Sequence, residues 1–119
     1  MQPNLTIDIS TLGDFPSAKL VKFKGDFDKA GYGENKESID AAVKDSEEKY
    51  LVFDFSELKF INSEGIGYLI EVHTHLVQRG RKLVVFGLLD HVMDVFKTIG
   101  IENVIPIYTT LNDFIVANK

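Results

Sequence analysis

The sequence predicts an α/β domain: a mixed, mostly parallel sheet of about five strands, with helices mainly on one face. Segments with the two-residue period of strands alternate along the chain with segments of helical period. The segments LVFDF and KLVVF are almost wholly apolar, as strands covered on both faces are. Glycines stand after the helical segments, at Gly80 and Gly100, where a chain must turn out of a helix. At 119 residues, one domain covering 1–119 is expected.

Leu5 to Ser10 alternates apolar and polar residues, as a half-exposed strand does. Gly13, Asp14 and Pro16 mark a turn, and Ala18 to Gly25 is a second strand. The short turn makes the first strand an antiparallel edge. DFDKAGYGEN reads as a glycine-bearing loop, followed by a helix from about Glu34 to Glu48 with a thin apolar stripe of Ile39, Ala42 and Val43. Tyr50 to Ser56 is the central strand. The next helix starts near Ser63 and runs toward Gly80, with Ile66, Leu69, Ile70, His73, Leu76 and Val77 as its core stripe. RKLVVFG is a buried strand, and LLDHVMDVFKTIG is a helix turning Leu89, Val92, Phe96 and Ile99 inward. NVIPIY is a short strand placed at an edge by Pro106. TLNDFIVANK closes the chain as a helix buried through Leu111, Phe114 and Ile115. Right-handed crossovers that all move one way add the later strands successively to one side.

Composition excludes several function classes. A net charge of −5 argues against nucleic acid as partner, because phosphates need a basic surface. The absence of cysteine removes disulfides, thiolate catalysis and cysteine-bound zinc. The opening MQPNLTIDIS has neither the basic run nor the apolar core of a leader, and no segment is apolar enough to span a membrane. A cytoplasmic protein without membrane insertion is expected.

The corner Lys59–Phe60–Ile61–Asn62–Ser63 lies where a strand gives way to a helix N-terminus, the usual place for function in α/β sheets. Asn62 or Ser63 can serve as N-cap. Gly65 and Gly67 are poor helix formers in the first turn, and their lack of side chains leaves Ser63 open to a docking partner. A catalytic serine is disfavoured, since NSEGIG lacks the glycine two residues before the nucleophile of a hydrolase elbow. His73 is a core-stripe residue far along the helix, His75 points to the opposite side, and His91 belongs to another helix, so no triad forms. His73 and His75 diverge as i and i+2 residues and cannot share a metal; His73 is expected buried and locally hydrogen-bonded, His75 solvated. Gly31–Tyr32–Gly33 lacks the endings of phosphate-binding loops. Asp26, Asp28 and Asp54 imitate a receiver's acidic pocket, but the corner itself carries Asn62 and Ser63. No cofactor, metal or catalytic residue is assigned.

KGDFD, with Gly25 and Asp28, and LVFDFSELKFINSEGIGYL resemble the two signature stretches of the STAS domain. RGRKLVVFGLLDHVMDVFKTIGIENVIPIYTTLNDFI resembles the family's closing strands and helices, so the likeness covers almost the whole chain. The family includes bacterial anti-sigma factor antagonists and the cytoplasmic tails of sulfate transporters. In the antagonist branch, the resemblance implies a partner-switching protein that binds an anti-sigma factor serine kinase, is phosphorylated at the position of Ser63, and is reset by a serine phosphatase. Asn62 replaces the family's usual aspartate, and Glu64 a small residue. The antagonist controlled at Ser63 is the leading reading, and these departures are the features that favour its first alternative, a STAS scaffold or lipid-transport-associated module that is never phosphorylated. A small-molecule or nucleotide-binding domain using Gly31–Gly33 is the alternative of another class. The expected partner surface comprises Asp28, Asn62, Ser63, Glu64, Gly65 and an outward Tyr68, with Met93, Asp94 and Val95 on the following helix.

Overall fold

The computed structural model describes residues 4–119. Met1 to Pro3, part of the opening read above for a leader, lie outside the described residues. Strands β1 (Leu5–Thr11), β2 (Ala18–Phe27), β3 (Tyr50–Ile61), β4 (Lys82–Phe86) and β5 (Ile107–Tyr108) form one sheet in the order β1-β2-β3-β4-β5. β1 pairs antiparallel with β2 and every other pair is parallel, as the alternation of strands and helices predicts. Helices α1 (Lys29–Lys44), α2 (Ser63–Val77), α3 (Asp90–Ile99) and α4 (Leu111–Asn118) follow β2 to β5, with a short 3-10 turn at Ile101–Asn103.

The sheet divides the apolar residues by strand parity. Val21, Phe23, Leu51, Phe53, Phe55, Leu83 and Val85 point to the face covered by α1, α2 and α3. Ala18, Tyr50, Val52, Val84 and Phe86 point to the other face, where Phe114 of α4 meets Phe15 and Tyr50 edge-on. Three helices on one face and a short one on the other agree with crossovers advancing in one direction. On the larger face Phe23 stacks on Phe27 at 5.4 Å and meets Phe53 at 4.7 Å, both fully buried.

Several boundaries and faces differ from expectation. DFDKAGYGEN is not a loop: α1 starts at Lys29 because Asp28 caps it, accepting from Gly31 N–H at 2.8 Å. A Cβ at Gly31 would sit 2.3 Å from the Asp26 carbonyl and 2.9 Å from Leu5, so only glycine lets α1 approach the sheet here. α1 also ends at Lys44 instead of Glu48. The Arg81 guanidinium, buried behind that end, donates to the Val43 and Glu48 carbonyls and to Ser46 Oγ, drawing the chain out of the helix. β3 runs past Ser56 to Ile61, since Glu57, Leu58, Phe60 and Ile61 keep pairing with β2 through two register shifts.

The buried face of α2 is turned toward α1. Tyr68 and Val72 are buried, whereas Ile70 and Val77 are 39% and 53% exposed. Helix α1 supplies a second wall, so the buried arc takes in residues a stripe facing the sheet alone would leave out. His73 is accordingly half-buried; its Nδ1 is shielded and finds no hydrogen-bond partner among the described residues, contrary to the local bond expected. His75 is half-buried as well, not solvated. On α3, Val92 and Phe96 are buried as expected, but Ile99 is 56% exposed at the helix end.

Arg81→Ala is expected to lower stability by about 3 kcal/mol, because it leaves buried carbonyls at the end of α1 without donors. Urea denaturation monitored by circular dichroism measures this; an unchanged midpoint would show that water satisfies those carbonyls.

Candidate functional site at the serine corner

β2 and β3 end level with each other. Phe27 pairs with Ile61, and the Phe27 carbonyl accepts from Asn62 N–H at 3.2 Å. The two following residue positions therefore lie side by side, Asp28 capping α1 and Asn62 capping α2. Asn62 has extended backbone, and its Oδ1 accepts from the N–H groups of Glu64 at 3.0 Å and Gly65 at 3.2 Å. The open question of which residue caps the helix is thus resolved: Asn62 does, and Ser63 is the first helical residue with its side chain exposed.

The two glycines have different reasons. A Cβ at Gly65 would lie 2.7 Å from both Ile61 and the Phe27 carbonyl, so Gly65 is a packing requirement that brings α2 down onto the strand ends. A Cβ at Gly67 would meet nothing within 4 Å. Gly67 instead lines an open hollow of about 420 Å³ with Ser63, Glu64, Tyr32, Tyr68 and Glu71. The expectation that both glycines clear space around the serine holds for Gly67 alone.

Tyr68 is not the outward contact residue expected from the sequence. It is 5% exposed, its ring lies 4.8 Å from that of Tyr32, and its hydroxyl donates to Asp40 Oδ1 at 2.7 Å. Burial, and then the hydrogen bond to the Asp40 carboxylate, push this phenol far above the ordinary tyrosine range. Burial also raises Tyr32, aided by the charges of Asp40, Glu71 and Glu64. Tyr68 thus ties α2 to α1 beneath Ser63.

Asp28, Asn62, Ser63, Glu64 and Gly65 are brought together. Met93, Asp94 and Val95 are not part of this cluster. They lie on α3, whose start is joined to the end of β3 by His91 Nε2 donating to the Lys59 carbonyl. Met93 and Val95 are half-buried and Asp94 is exposed. Asp94 and Val95, with Thr98 and Ile99, line a shallow hollow that shares no residue with the one at Ser63. The candidate phosphate loop Gly31–Gly33 is the first turn of α1, with Gly31 packed against backbone, which removes the element on which the nucleotide-binding alternative relied. Tyr32, Asp40 and Glu71 were missed as site residues. Their signal is the four-residue spacing of Tyr32, Lys36, Asp40 and Lys44, visible only once the helix is started at Lys29.

Asn62→Ala is expected to cost about 1 kcal/mol through loss of the cap. Gly65→Ala should cost more, by forcing α2 off the strand ends. Gly67→Ala should be neutral or stabilising by up to about 1 kcal/mol, since helix propensity improves in open space. Thermal melts of the three variants check this ranking, and a Gly67→Ala variant as damaged as Gly65→Ala would contradict it.

The comparisons with known proteins agree with this architecture. A family model described as the STAS domain matches residues 7–114. The chain is 32% identical over 72 residues to the anti-sigma-B factor antagonist of Listeria monocytogenes, covering 55% of this chain and 63% of that protein. The same figures hold for its Listeria innocua counterpart, so the chain spans less than two thirds of the length of these curated relatives. An anti-sigma factor antagonist from Mycobacterium paratuberculosis superposes with a TM-score of 0.83 at 22% identity, covering 98% of this chain and 96% of that one. The phosphorylated form of the Bacillus cell fate determinant SpoIIAA superposes at 0.69 with 14% identity, covering 96% and 100% of the two chains. With the match covering nearly its full length, the chain belongs to the STAS domain family.

Proposed function

We propose that this chain is an anti-sigma factor antagonist: it binds an anti-sigma factor that is also a serine kinase, and phosphorylation of Ser63 switches the binding off. The observation that carries this reading is Ser63 itself, exposed on the first turn of α2 while Asn62 takes over the capping task. The named function of the Listeria relatives supports the partner class. The kinase brings ATP and the base; Ser63 Oγ attacks the γ-phosphorus, the hydroxyl proton passes to the kinase, and ADP leaves. The protein itself contributes an accessible hydroxyl on a rigid corner. A serine phosphatase reverses the modification, and the exchange takes place in the cytoplasm. Among the described residues no helix is long and apolar enough to cross a membrane.

The phosphoryl group adds roughly −1.5 to −2 charges at the corner. Glu64 and Glu71 line the same hollow, so the new charge arrives among carboxylates. Within a docked interface that charge loses water and gains no cation from this chain, and this loss opposes binding. For the fold the effects offset: the α2 N-terminus favours an anion by about 0.3–1 kcal/mol, and Glu64 works against it.

A second reading is a STAS scaffold, or a lipid-transport-associated module, that is never phosphorylated. The geometry of Asn62 favours it, because its Oδ1 occupies the N–H groups of Glu64 and Gly65 that would otherwise receive a phosphate.

Incubation with the kinase and ATP is expected to add one phosphoryl group by mass spectrometry, absent in Ser63→Ala. Ser63→Asp should bind the kinase at least tenfold more weakly, with a melting temperature near that of the wild type. Phosphate on another residue, or none with a demonstrably active kinase, would transfer the protein to the scaffold reading.

A further inference from the structure

The cleft between α1 and α2 carries a charge pattern at odds with an acidic chain. It encloses about 320 Å³ over Val43, Val72, Tyr32 and Tyr68, and it continues through Tyr32, Tyr68 and Glu71 into the hollow at Ser63. The Ser63 end is acidic, through Glu64 and Glu71. Along the α1 wall Lys36 stands one turn beyond Tyr32 and Lys44 two turns further, at the far end; His75 faces it from α2, and Arg79 stands one turn beyond His75 with its guanidinium on the His75 carbonyl. Lys36, Lys44 and Arg79 are exposed. The ion pairs among the described residues are Lys19–Glu48 and Lys22–Glu57, so none of these three cations is held in an ion pair there. Of the two carboxylates in the same wall, Asp40 and Glu71, Asp40 already accepts from the Tyr68 hydroxyl. Burial, and then the charges of Arg79, Lys44 and Arg81, hold His75 below its ordinary range, so these cations act on one shared space.

We propose that the Lys44 and Arg79 end of this cleft, with Lys36 along the approach to it, is a docking point for an acidic segment of the kinase that modifies Ser63. The proposal rests on the function given above and adds where the partner is held. Ser63 and His75 are about 18 Å apart along α2, within one standard protein interface. A contact at that distance is beyond the screening length at physiological salt, so it is indifferent to the phosphoryl charge. The acidic Ser63 end then supplies the switch, and the cationic end supplies encounter rate and orientation.

The test uses the full chain and the purified kinase, with affinity measured without ATP at low and high salt. Lys36→Glu combined with Lys44→Glu is expected to weaken binding roughly tenfold at low salt, and the loss should shrink as salt rises. Lys36→Gln with Lys44→Gln should lie between this variant and the wild type. Lys97→Glu with Lys119→Glu, an equal charge change on α3 and at the end of α4, should stay within about twofold of the wild type. Circular dichroism melts verify that all variants are folded. Equal affinity of the wild type and the Lys36/Lys44 variants, or equal losses in the control pair, would overturn the docking proposal. Mass spectrometry on the same mixtures with ATP reads Ser63 separately: a kinase that binds through Lys36 and Lys44 yet leaves Ser63 unmodified would sink the phosphorylation reading and keep the docking site.

Discussion

The hydrogen bond from Asn62 N–H to the Phe27 carbonyl, at 3.2 Å, sets the geometry on which the rest of the structure depends. It extends the pairing of β2 with β3 to the last residue of each strand, so that two chains leave the sheet at one level. Asp28 and Asn62 then cap α1 and α2 side by side. A backbone bond of this kind contributes only about 1 kcal/mol. Its structural weight comes from register, because the packing of both helices is referred to it. Gly31 and Gly65 are the matching constraints, each leaving room for a backbone carbonyl less than 3 Å from where a Cβ would stand.

From that level start the two helices run together, and Tyr68 locks them through Asp40. The phenol is buried with its one donor satisfied, which is the condition for a buried polar group to be tolerated. Ser63 sits about one turn above this lock, so the exposed hydroxyl is presented from a buried, hydrogen-bonded base. Under the proposed phosphorylation, this packing would fix the place at which the new charge appears.

The far end of the fold is organised by a different device. Arg81, buried behind α1, takes the carbonyls of Val43 and Glu48 together with Ser46 Oγ. This arrangement ends α1 and starts β3 without a glycine or proline. It also places a guanidinium near His75, where it helps to hold the imidazole below its ordinary range.

Much of the fold was legible in the amino-acid order. The element sequence, the antiparallel first strand, the edge position of the strand after Pro106 and the burial of Ile39, Phe96 and Phe114 follow from periodicity and punctuation, which are local properties. The STAS signature and the serine corner are local too, as contiguous residues carry them. What only the tertiary structure decided involves residues distant in sequence. α1 begins at Lys29, behind the Asp28 cap, and Gly31 lets its backbone pack on Asp26 and Leu5, which turns an apparent glycine loop into helix. Tyr68 points inward because α1 offers it Asp40, a partner 28 residues away. Asn62, not Ser63, became the cap because pairing with Phe27 holds it extended, leaving the serine side chain exposed. Periodicity assigns a residue to a face of its own helix, and it cannot say which neighbours will stand against that face.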